Sequence, residues 1–169
     1  MDWSDVTRRV VVEAAAPHPE DVVYQLGGDW ALTAALAPRV ARVVVRAPEA
    51  APALPANVVH ERGPIGAEPL PGGTSVIVLH DELRRHPPSF QRELLLHLGR
   101  AAGRRTLLVI GDVMWSMPVD RIDEPEQFGD AINHAPTTAT LERVVREAGF
   151  LPDLHRFGVG RAVCIALRS

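Results

Sequence analysis

Val6, Val10 and Ala14 fall at helical spacing and Pro17 stops the run, so residues 4–15 read as a helix. The β-branched run Val10-Val11-Val12 inside it pulls the other way, towards strand. Asp21–Leu26 is a short apolar strand running into Gly27-Gly28. Helix formers over 29–37 end at Pro38, and Val40–Arg46 is a second, β-branched strand. Val58-Val59 marks a shorter third one. After the turn Pro71-Gly72-Gly73, Ser75–His80 has the unbroken apolar character of a strand covered on both faces. Ser89 is placed to cap a helix that carries Phe90, Leu94 and Leu98 on one face and leaves at Gly103. Thr106–Gly111 is another buried strand, followed by an irregular stretch over 112–136. Leu141, Val144, Val145 and Ala148 trace an amphipathic helix that stops at Gly149. Strands over 150–157 and 161–167 close the chain, joined by the hairpin signal Gly158-Val159-Gly160.

Strands separated by helices predict an α/β fold: a doubly wound, mostly parallel seven-stranded sheet, with an antiparallel hairpin at its C-terminal end. The proline-rich loop from Ala47 to Pro55 is too short to divide the chain, so residues 1–169 read as one domain. Composition changes this picture little, because 46% hydrophobic and 23% charged residues are ordinary for a globular protein. They exclude a disordered chain, a fibrous repeat and a disulfide scaffold. The lone cysteine, Cys164, the absence of a membrane-length apolar run and a start unlike a signal peptide lead us to expect a cytoplasmic protein. Every one of the 18 basic residues is arginine, and the net charge of -3 offers no global field for nucleic acid. Arg100, Arg104 and Arg105 read as a solvated helix end, with RNA contact as the alternative.

Asp21-Val22-Val23-Tyr24-Gln25-Leu26-Gly27-Gly28-Asp29-Trp30-Ala31-Leu32-Thr33 resembles the first motif of class I S-adenosylmethionine-dependent methyltransferases: a strand, a glycine-rich loop and a helix. The runs over 36–45, 70–79 and 107–112, and the helix ending Glu147-Ala148-Gly149-Phe150, resemble later parts of that family in order and spacing. The resemblance spans residues 4–167 and implies a Rossmann-like fold with its ligand at the carboxyl ends of the strands. It implies a cofactor site at Gln25, Gly27, Gly28, Asp29, Arg46 and Glu49. Several of these positions depart from the family pattern. Asp29 and Ala31 replace glycines, Trp30 puts an indole in the loop, and Gln25 lacks the family's charge. Arg46 stands where a carboxylate normally accepts the ribose hydroxyls, and a guanidinium accepts nothing. Glu49, three residues on, is the one candidate to reach back, and Pro64 stands near the family's adenine-side aspartate. Losing three polar anchors at about 1.5–3 kcal/mol each takes a micromolar ligand to millimolar.

On that count the reading is a noncatalytic, methyltransferase-like binding or scaffold module, with no cofactor and with a protein partner or a second copy of itself. An active methyltransferase that binds S-adenosylmethionine in a divergent pocket is the alternative. A closed pocket predicts a Trp30 at least half buried. A dinucleotide site with Arg46 on a 2′-phosphate would need G-x-G-x-x-G, which Gly27-Gly28-Asp29-Trp30-Ala31-Leu32 does not supply.

Other candidate residues follow the fourth and fifth strands. His80 and Asp81 are placed to meet a substrate or partner, although neighbours on an extended strand point to opposite faces. Asp112, Trp115 and Met117 are candidates for a partner groove or a packed cover. The seven histidines show no metal-ligand spacing, no serine sits in G-x-S-x-G, and no catalytic nucleophile is assigned.

Overall fold

The computed structural model describes residues 2–115, 134–157 and 160–169. Ser116, Met117 and the first two residues of the Gly158-Val159-Gly160 signal lie outside them. The chain runs α1 (Trp3–Ala15), β1 (Val22–Leu26), α2 (Trp30–Leu36), β2 (Arg42–Ala47), β3 (Val58–Arg62) and β4 (Val76–His80). It continues through α3 (Pro88–Ala101), β5 (Leu107–Val113), α4 (Thr138–Glu147), β6 (Phe150–Phe157) and β7 (Arg161–Arg168).

The seven strands form one sheet in the order β3-β2-β1-β4-β5-β7-β6. The first five pair in parallel, and β7 enters antiparallel between β5 and β6. The chain order therefore reverses between β1 and β4, and that switch point opens a crevice at the strands' carboxyl ends. Alternation along the strands builds two cores. Tyr24, Leu26, Ile77, Leu79, Leu108 and Ile110 pack on α3 and α4, while Val23, Val43, Val45, Val78 and Val109 pack on α1 and α2.

Local chemistry explains most boundaries. Asp2 caps α1 through the Ser4 N–H, and Thr137 caps α4 through the Thr140 N–H. Ser89 is not a cap: α3 starts one residue earlier, at Pro88, because proline fits the first helical turn, where its missing N–H costs nothing. Past α2, Pro38 does not end the helix abruptly but sits in a 3-10 turn over Ala37–Arg39. No helix bridges β2 to β3 or β3 to β4 among the described elements, so the sheet is thinly covered at its β3 edge. Trp30 supplies part of that cover. It is half-buried, as expected, and meets His60 of β3 edge to face at 5.2 Å. No helix is long and apolar enough to cross a membrane among the described residues.

Candidate functional site

The turn after β1 is held from below by Gln25, which is fully enclosed. Its amide nitrogen donates to the Gly27 and Asp29 carbonyls at 3.0 and 2.9 Å, and its oxygen accepts from the Thr33 hydroxyl at 2.9 Å. Gln25 therefore shapes the loop and presents no free polar atom to a ligand. Gly27 takes φ +102°, and a Cβ there would stand 2.5 Å from Glu82 Oε2. A Cβ on Gly28 would stand 2.8 Å from Glu49 Oε2. Both glycines thus leave room for carboxylates arriving from other strand ends.

Arg46 shares the face of Val44, under the chain that leaves β3. Its guanidinium donates to the Pro64 carbonyl at 2.9 Å and to Glu68 Oε1 at 2.8 Å, which ties down that chain instead of facing the crevice. Two carboxylates nevertheless reach the glycine turn from other strand ends. Glu49 brings a carboxylate to the glycine turn from beyond β2, and Glu82 brings a second from beyond β4. Beside them lies a cavity of about 300 Å³ lined by Pro48, Pro64, Ile65, Glu82, His86 and Phe90. Trp30 lines neither it nor the cavity described next.

A second cavity, of about 230 Å³, opens at the same strand ends and shares Glu82. Ser4 and Arg8 of α1, Gly28, Asp29, His80, Asp81 and Arg85 complete its lining, so apart from the glycine every lining side chain is polar or charged. Asp29 is its best-connected member. Its carboxylate caps α2 through the Leu32 N–H at 3.0 Å, accepts from Arg8 Nε at 2.9 Å and meets His80 Nδ1 at 2.5 Å. Burial alone would raise the Asp29 carboxyl, but His80, Arg8 and the Leu32 N–H outweigh it and hold it below the usual carboxylate range.

The structure also brings His80 and Asp81 to one wall, against the expectation from strand alternation. Asp81 lies past the strand end at φ +52°, a left-handed conformation that swings its side chain back beside His80. Its Oδ2 accepts from the Ser4 hydroxyl at 2.7 Å, its other oxygen pairs with Arg161, and His80 Nε2 lies 3.9 Å from Oδ2. Burial of Asp81 is outweighed by Ser4, His80, Arg161 and Arg84, which hold its carboxyl down.

Asp112 and Trp115 lie elsewhere. Asp112 is fully buried behind this wall, where it accepts from the Val113 and Arg84 N–H groups at 2.7 and 3.2 Å. Burial and the nearby Asp81 charge push its carboxyl up to about 7. Trp115 is 6% exposed, bridges Thr137 and packs over Gly160, so it belongs to the core. Cys164 is enclosed in β7, and burial pushes its thiol up to about 12. Sequence reasoning did not find Ser4, Arg8, Glu82, Arg85, Ile65 or Phe90. Only Glu82 carried a signal, as an acid immediately beyond the fourth strand.

The strand order, the reversal between β1 and β4 and the antiparallel β7 define the fold of the class I S-adenosylmethionine-dependent methyltransferases. Solved structures of that class superpose on nearly the whole chain. Human N-acetylserotonin methyltransferase in complex with SAM matches 97% of it with a TM-score of 0.78 at 15% identity. An O-methyltransferase family protein from Burkholderia thailandensis matches 99% with a TM-score of 0.75 at 20% identity. The mitomycin 7-O-methyltransferase MmcR matches 97% with a TM-score of 0.72 at 12% identity. The chain spans about half of each of these proteins, namely 52%, 56% and 54% of their lengths. No family model matches the sequence, and no curated protein matches it.

Proposed function

We propose that the chain is an S-adenosylmethionine-dependent methyltransferase with a divergent cofactor pocket, acting on a hydroxyl of a small polar acceptor. The observation that carries this reading is the closure of the Glu49 and Glu82 carboxylates on the glycine turn, beside a largely apolar cavity. These residues fit the cofactor's chemistry. Glu49 supplies an acceptor for ribose hydroxyls, Pro48, Pro64, Ile65 and Phe90 supply a surface for a flat base, and Glu82 supplies negative charge for a sulfonium or ammonium. The cofactor, when bound, contributes a methyl group on a positively charged sulfur. The chain's own part is to hold an acceptor in the polar cavity and to take its proton at the His80 imidazole. Oxygen as the accepting atom is supported by the O-methyltransferases that share the fold. A small polar acceptor is supported by the polar lining.

These observations favour the enzyme over a noncatalytic module, because two of the missing carboxylates are replaced from other positions. Isothermal titration with S-adenosylmethionine and S-adenosylhomocysteine, up to millimolar ligand, tests the reading. Saturable micromolar binding is expected. No heat beyond dilution would return the chain to the noncatalytic reading.

A further inference from the structure

We infer that Asp29 is a positioning residue, fixing the tautomer of His80, a residue of the polar cavity, so that Nε2 is the ring's proton-accepting atom. The role of that atom in turnover rests on the methyltransferase reading, whereas the pairing itself does not.

Asp29 is the N-cap of α2, a role that serine, threonine or asparagine also fills, and its carboxylate does more than cap. Its carboxylate is saturated with donors: the Leu32 N–H, Arg8 Nε and, at 2.5 Å, His80 Nδ1. A carboxylate so placed stays ionised and accepts only, which puts the proton of a neutral imidazole on Nδ1. The opposite nitrogen is then bare. Nε2 is buried and has no hydrogen-bond partner among the described residues; Asp81 Oδ2, 3.9 Å away, is too far for a hydrogen bond and has no proton to give, whereas Asp29 is in contact with Nδ1. A buried nitrogen without a donor is costly, and a small turn of the ring towards the cavity would let the hydroxyl of an acceptor supply one. Arg8 holds the other side of Asp29, so α1, the glycine turn and β4 are locked around one imidazole. This is the logic of an orienting carboxylate behind a general base.

The test is nitrogen-15 NMR of the histidine rings in the full chain, with His80 assigned by its loss in His80→Gln. The neutral ring is expected to carry its proton on Nδ1 and to show a bare Nε2. Asp29→Asn keeps a good helix cap and the side-chain size. Its oxygen remains with Arg8 and Leu32, its NH₂ then donates to Nδ1, and the proton moves to Nε2. Arg8→Gln serves as the second variant: it removes a neighbouring charge but leaves the Asp29–His80 contact, and the wild-type tautomer is expected. A wild-type ring already protonated on Nε2, or an unchanged tautomer in folded Asp29→Asn, overturns the inference. Titrating both proteins with S-adenosylmethionine separates the two claims. Absence of binding by the wild type defeats the methyltransferase reading while the ring spectra still decide the role of Asp29. Equal affinity in the two proteins, with a flipped tautomer in the variant, marks Asp29 as positioning His80 and not as a cofactor contact.

Discussion

The Glu49 carboxylate closes on Gly28 so tightly that a methyl group added to the glycine would stand 2.8 Å from Glu49 Oε2. That contact joins the ends of β1 and β2, where the proposed pocket takes the cofactor's ribose. Glu49→Gln should therefore weaken S-adenosylhomocysteine by about 1.5–3 kcal/mol, roughly 10- to 150-fold, through loss of a charged acceptor. Gly28→Ala should weaken it comparably by displacing the same carboxylate, with the melting temperature little changed. Titration calorimetry reads both. Full affinity in Glu49→Gln would remove this residue from the site.

Gln25 tests a different point, whether the glycine turn is held by the strand beneath it. Gln25→Leu keeps the volume but strips partners from the Gly27 and Asp29 carbonyls and from the Thr33 hydroxyl. The expected loss is about 2–3 kcal/mol, because buried polar atoms are left unpaired. In a protein of this size that lowers the melting temperature by roughly 5–10 °C, which scanning calorimetry measures directly. A stability matching wild type would mean that the loop holds its shape without Gln25.

The sheet was readable in advance because every strand announces itself locally. Val43-Val44-Val45, Val76–Leu79 and Leu107–Ile110 are apolar runs too short for helices, and the Gly27-Gly28 turn and the closing hairpin fix the class. The site was readable only in part, since its contacts join residues far apart in sequence. Ser4 meets Asp81 across 77 positions and Asp29 meets His80 across 51, and no periodicity reports such pairings. The direction of Arg46 was not readable for a related reason. Its place at the end of β2 was correct, but its direction depended on Pro64 and Glu68, which follow another strand. Asp81 escaped the alternation rule because its left-handed backbone lies just past the strand, where that rule no longer applies.

The polar cavity makes a prediction about the acceptor. With Ser4, Arg8, Asp29, Asp81 and Arg85 in its wall, it lacks the apolar faces that grip an aromatic ring. Release of S-adenosylhomocysteine should be faster with small hydroxy acids and polyols than with phenols, by tenfold or more in kcat/KM. The reverse order would place the acceptor elsewhere in the molecule.

Asp112 gives the fold an unusual dependence on pH. Its complete burial, reinforced by Asp81, raises its carboxyl to about 7 against an unfolded value near 4. Between those values the folded chain holds a proton that the unfolded chain has released, so stability falls as pH rises through the window. Asp29 and Asp81 act in the opposite sense, since both are held below their ordinary values. Their contribution is present above the unfolded value and is lost as pH falls through the folded ones. Together these carboxylates place greatest stability near the unfolded carboxylate value, about pH 4, with a decline on either side. Thermal melts of wild type and Asp112→Asn between pH 3 and 8 report the first effect most directly above pH 4, where Asp29 and Asp81 are ionised in both proteins. The variant should stand furthest below wild type at pH 3–4, gain on it as pH rises from 4 to 7, and hold that gain at pH 8. A constant difference in melting temperature across that range would mean that Asp112 is ionised throughout, balanced by Arg84.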